Sequence, residues 1–107
     1  MTELSKEEWL ARGRELFGED TLKWRFKCPR CGRVISVADW YTAGAPIGAV
    51  AFACIGRYVN WAGCDYAGGG LFHLNPVRVT DDNGTMREVF EFAEGGLLRK
   101  SEVIKHV

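Results

Sequence analysis

The sequence predicts an α+β fold, a small metal-stapled domain of zinc-ribbon or treble-clef type with an N-terminal helix and a C-terminal antiparallel β-hairpin. Three observations carry this prediction: four cysteines spaced C-x2-C-x22-C-x9-C, a capped amphipathic segment at residues 5–17, and paired runs either side of Asn83-Gly84. The 107 residues suit one domain, 1–107, and no internal repeat or linker divides them.

Residues 5–17 read as a helix. Ser5 and Glu8 have capping-box spacing, and Leu4 and Trp9 have the spacing of a hydrophobic staple. Trp9, Leu10, Leu16 and Phe17 form one apolar stripe, interrupted by Gly13, which costs about 1 kcal/mol against alanine. Gly18 ends the helix.

Leu22 to Lys27 alternates strictly, so a half-buried strand is expected with Leu22, Trp24 and Phe26 inward and Lys23, Arg25 and Lys27 on the solvent face. Ser36 and Asp39 again have cap spacing and open a short helix over residues 37–43 carrying Trp40, closed by Gly44 and Pro46. Ala49 to Ile55 is a nearly continuous apolar run, read as a buried strand that delivers Cys54 to the interior. A two-residue Asn83-Gly84 turn sets Val77 opposite Phe90 and Val79 opposite Glu88, whereas a three-residue loop would turn those valines away from Phe90 and Phe92. The tail, residues 97–107, fits either a short helix or an added strand.

The cysteines carry the chemistry. In Cys28-Pro29-Arg30-Cys31-Gly32 two thiolates two residues apart can reach one tetrahedral ion, and Gly32 supplies the positive φ of the turn. Cys54 and Cys64 complete a four-thiolate set suited to structural Zn2+. The acidic start of the chain lacks the apolar core of a signal peptide, and no 18-residue apolar run occurs, so the expected location is the reducing bacterial cytoplasm, away from membranes. That compartment favours metal over disulfides. A redox dithiol needs its first cysteine at a helix start, but Gly32-Arg33-Val34-Ile35 opens a helix poorly. His73 is the one alternative ligand, read as a packed strand residue, and His106 has no supporting partner.

No catalytic residues are assigned. Four cysteines leave no open metal position, and neither His-x-Glu with Pro-Cys-x-x-Cys nor His-Glu-x-x-His occurs. Asp39 and Asp65 have simpler roles as cap and turn residues.

The three cysteine-bearing stretches, Cys28 to Gly32, Cys54-Ile55-Gly56-Arg57-Tyr58 and Gly63-Cys64-Asp65-Tyr66, with Gly70-Leu71-Phe72 after them, resemble a family of small phage- and prophage-encoded zinc-binding proteins of unknown function. The resemblance covers roughly residues 5–80 and implies zinc binding and a mobile-element origin. The chain departs from that pattern at Gly68-Gly69-Gly70, where bulkier residues are expected.

Two functions follow as expectations. The first is a non-enzymatic phage accessory protein that binds a host protein, with counter-defence or host takeover as its purpose, through Arg57, Tyr58 and Trp61 on the loop between ligands, residue types that dominate interface hot spots. Tyr58 and Trp61 packed over the metal as a shield is the equal alternative. The second is nucleic-acid binding through Lys23, Arg25, Lys27, Arg30 and Arg33, because residues 21–60 carry a net charge of +5 within a chain of net charge zero. The chain is expected to be a monomer or small homo-oligomer.

Overall fold

A computed structural model describes residues 2–69 and 74–93. His73, the Gly70-Leu71-Phe72 stretch and the tail expectation therefore lie outside the described residues. Among the described residues the architecture is α+β, with two α-helices and two three-stranded sheets. Strands β1 (Thr2–Ser5), β4 (Val77–Thr80) and β5 (Met86–Val89) form one sheet in the order β1-β4-β5; β2 (Arg25–Lys27), β3 (Val34–Ser36) and β6 (Glu91–Phe92) form the other in the order β3-β2-β6.

Helix α1 spans Lys6–Phe17, and both halves of the Ser5–Glu8 capping box form, with Ser5 N donating to Glu8 Oε1 at 2.9 Å and Glu8 N to Ser5 Oγ at 3.1 Å. These bonds use amides that have no acceptor inside the helix. Gly18 closes it at φ 91°. Gly13 is more than a tolerated break in the stripe. A Cβ there would come within 2.6 Å of Trp24 Cε3 and nearer still to the ring's far carbons, so the missing side chain lets the indole lie against the helix. The Trp24 indole N–H donates to Gly18 O at 2.9 Å, fixing the ring over the helix end.

The residues just before the helix also form an element. β1 pairs in parallel with β4, Thr2 opposite Val77 and Ser5 opposite Thr80. The strand expected at 22–27 begins later than its alternation suggests. Asp20 accepts from Leu22 N and caps a 3-10 turn at Thr21–Lys23, which leaves Leu22 45% exposed instead of inward. Trp24 and Phe26 are buried as expected.

Helix α2 (Val37–Thr42) carries the second capping box, Ser36 with Asp39. It delivers Trp40 to the centre of the core, 0% exposed, with its indole N–H donating to Ala53 O at 2.9 Å. Phe26 meets that indole edge-on, and Phe26, Phe92 and Trp9 stack on one another.

Ala49 to Ile55 is buried except at the half-buried Val50 and Phe52, but it is not a strand. Bonds from Val50 N to Ile47 O and from Phe52 N and Ala53 N to Ala49 O wind it into turns, Ala51 takes φ 60°, and only Ala53 forms a bridge, to Ala67. Apolar continuity predicted the burial; it could not distinguish an extended run from a compact one.

The 77–92 segment differs in register. Val77 pairs with Val89 and Val79 with Arg87, one residue away from the expected alignment. Asp81 explains this: its Oδ1 accepts from Asn83 N and Thr85 N, closing a three-residue loop with Gly84 at φ 80°. The objection to a three-residue loop fails because the chain leaves the first sheet at Phe90, whose amide bonds Ala51 O, and enters the second as β6. Val89, Phe90 and Phe92 are all buried by this change of sheet.

Candidate metal centre

β2 and β3 are antiparallel neighbours, and the turn between them is the first cysteine knuckle. Cys28 N donates to Arg33 O at 3.0 Å and Gly32 N to Cys28 O at 2.9 Å, with Gly32 at φ 77°. The second pair hangs on a different frame. Cys54 N donates to Tyr66 O at 2.8 Å, which aligns the chain entering the nine-residue loop with the chain leaving it. A 3-10 turn at Ile55–Arg57 follows Cys54, and Gly63 at φ 79° precedes Cys64.

Two glycines make this closure. A Cβ on Gly63 would lie 2.8 Å from Cys54 Sγ, and one on Gly56 would lie 2.7 Å from the Gly63 carbonyl carbon and closer to the Cys64 backbone. The loop ends touch backbone to backbone, which only glycine permits.

The four sulfurs lie within 4.8 Å of one another, with Cys28 to Cys64 and Cys31 to Cys54 each 3.8 Å apart. A tetrahedral ion with metal–sulfur bonds of about 2.3 Å, the value for zinc thiolates, sets sulfurs about 3.8 Å apart. Two pairs sit at that spacing, and the donor set fits one metal ion. The surrounding amides are arranged for negative sulfur: Cys64 N points at Cys54 Sγ (3.2 Å), Arg30 and Cys31 amides at Cys28, the Arg33 amide at Cys31, and the Tyr66 amide at Cys64.

Titration without metal divides the ligands. Burial pushes the Cys28 thiol up to about 12 despite its two amide donors. Burial also raises Cys64. At Cys31 burial is the largest influence, but the Arg33 amide and neighbouring sulfurs together outweigh it and lower the thiol. Cys31 is exposed and Cys64 half-buried, while Cys28 and Cys54 are fully buried, so the centre opens to solvent on one side.

Around this centre, Arg30 Nη1 meets Asp65 Oδ1 at 2.7 Å and Arg57 Nη1 donates to Asp65 O at 3.0 Å, so both halves of the site are tied to one residue. Asp39 acts as the α2 cap. Of the loop residues, Tyr58 packs partly buried against the core, while Trp61 is 74% exposed. The basic residues are scattered in their engagements. Arg25 lies 5.2 Å over the Phe17 ring, Lys27 is opposite Glu91 in the sheet, Lys23 is exposed on the 3-10 turn, and Arg33 is exposed beyond the knuckle.

Sequence reasoning did not find a cavity of about 330 Å3 beside the centre, between α2 and the 55–62 loop. Arg33 and Trp61 stand at its wall with Ile35, Ile55 and Val59. Its walls come from stretches far apart in the chain, so no local pattern signalled it. Among the described residues no helix is long and apolar enough to cross a membrane.

The fold and site define a small α+β protein with a four-cysteine cluster that could hold a metal ion. Residues 5–93 match the family model described as VVA0879-like, and the chain belongs to that family. No curated protein and no solved structure matches the chain.

Proposed function

We propose that the cluster is a structural tetrathiolate zinc site of zinc-ribbon type and that the protein is a non-enzymatic module whose metal-closed loop binds another protein. The carrying observation is Trp61, 74% exposed on a loop whose two ends are cysteines of the four-sulfur cluster. A large aromatic side chain left in water on a rigid frame is the usual anchor of an interface. Four thiolates saturate a tetrahedral ion and leave no position for substrate or activated water, which supports a structural role. The resemblance to phage-encoded zinc proteins supports a host protein as the partner.

Reduced, natively purified protein should contain one zinc per chain, and cobalt(II) substitution should produce the absorption of a tetrahedral thiolate site. A chain free of zinc overturns the metal assignment. For the partner, tagged wild-type and Trp61→Ala chains are compared on host lysate. A protein recovered in stoichiometric amount by wild type and depleted at least about tenfold with Trp61→Ala supports the reading. Equal recovery by both refutes it.

Nucleic-acid binding through residues 23–33 has less support. Arg30 is ion-paired and Arg25 lies over the Phe17 ring, so two of the five cations are already engaged within the protein. A salt-sensitive mobility shift abolished by replacing Lys23, Arg25 and Lys27 would reverse this order.

A further inference from the structure

The cavity beside the centre is assembled by the same segments that hold the sulfurs. Arg33 and Ile35 follow Cys31, Ile55 and Val59 follow Cys54, and Trp61 and Ala62 precede Cys64; α2 supplies the remaining wall with Asp39, Thr42 and Ala43. Its volume, about 330 Å3, lies within the range of sites that take a ligand group, and it is lined mainly by apolar side chains with few polar ones.

The polar groups are unequal. Asp39 accepts from Ser36 N through Oδ2 in the capping box, which holds its charge against the first turn of α2. Arg33 is exposed and makes no side-chain hydrogen bond or ion pair among the described residues. An apolar recess with an uncommitted guanidinium at its wall and an exposed indole beside it is complementary to an apolar side chain adjacent to a carboxylate. Arg33 can hold that carboxylate with paired N–H donors, and Trp61 can cover the apolar group.

We infer that this cavity is the specificity pocket for the partner: it takes an aliphatic or aromatic residue from a peptide segment of the bound protein, with a neighbouring Asp or Glu held by Arg33. The inference rests on the protein-binding role proposed above and adds the chemistry of what is bound. It also makes recognition depend on metal, because removing the ion frees three of the stretches that form the wall.

The test is a selection of random 12-residue peptides on the reduced, zinc-loaded full chain, followed by affinity measurement on the wild type and three variants. Arg33→Glu reverses the free charge on an exposed side chain. Thr42→Trp, also at an exposed wall position, fills the recess. Trp61→Ala reports on the loop itself, and each variant is checked for zinc content. Enriched peptides that carry an apolar residue beside Asp or Glu, and that bind at least about tenfold more weakly to Arg33→Glu and to Thr42→Trp, support the pocket. Peptides that lose affinity with Trp61→Ala but are unaffected by Arg33→Glu and Thr42→Trp overturn the pocket and leave the loop as the binding surface. Enrichment of basic or uncharged peptides overturns the charge assignment. Peptides indifferent to all three variants overturn both the pocket and the loop.

Discussion

Gly56→Ala adds a single methyl group at a crowded point of the loop between Cys54 and Cys64. The new Cβ would stand 2.7 Å from the Gly63 carbonyl carbon and closer to the N and O of Cys64. Ordinary carbon contacts are about 3.5–4.0 Å, so the Gly63–Cys64 peptide must retreat by about 1 Å. Backbone cannot rotate away as a flexible side chain could. Metal–ligand distances tolerate only about 0.2 Å. The displacement is several times that tolerance, so Cys64 leaves the ligand sphere or drags Cys54 with it through the Cys54–Tyr66 bond. The expected loss is about 100-fold in zinc affinity, or about 2.7 kcal/mol. The assay is competition for zinc against a chromophoric chelator under reducing conditions, with far-UV circular dichroism at saturating zinc to show that the variant folds. Gly48→Ala is the control: nothing lies within 4 Å of a Cβ there. It should bind zinc as wild type does. A Gly56→Ala chain whose affinity stays within about threefold of wild type would refute the close-approach argument.

Gly13→Ala should destabilise the zinc-loaded protein by about 1–3 kcal/mol in urea unfolding despite its better helix propensity, because the methyl group enters the Trp24 ring; a more stable variant would disprove this. Asp39→Ala should cost about 1 kcal/mol and leave zinc affinity unchanged, as expected of a residue that only caps α2. Metal-free protein should lose stability as pH rises from 9.0 towards about 12, because the folded state holds the Cys28 proton more tightly than the unfolded state does and the unfolded chain gives it up first. Zinc binding at neutral pH must expel that proton, so affinity should fall as pH falls; calorimetry in buffers of different ionisation enthalpy should show proton release, and a buffer-independent enthalpy would contradict it.

The parts of the fold legible in the sequence were those decided over three or four neighbouring residues. Ser5 with Glu8 and Ser36 with Asp39 each announce a helix because the cap bonds span only a single turn. The ligand cluster was legible because four cysteines in one small chain have few other uses. What was hidden depended on distant partners. Residues 2–5 look like the approach to a helix, and only β4, far along the chain, makes them a strand. Gly13 was a propensity cost on paper, and its use appears only when Trp24 arrives. The strict alternation at 22–27 pointed to a strand from Leu22, whereas Asp20 caps a turn at Thr21–Lys23 and the strand starts only at Arg25. At Ala49 to Ile55 small residues allow close winding that a run of bulkier apolar side chains would resist, and hydrophobicity alone carries no such information.

The parallel pairing of β1 with β4 has a consequence for synthesis. Thr2 cannot meet Val77 until the intervening chain has been made, whereas Cys64, the last cysteine of the cluster, is translated earlier. The ligand set is therefore complete while the first sheet still lacks its central strand. A chain that captures its ion as it emerges would close the later-made sheet onto an organised half. One made under metal starvation would reach β4 and β5 with neither half in place, and residues 2–5, made well before their partner strand, would be among the last to be secured.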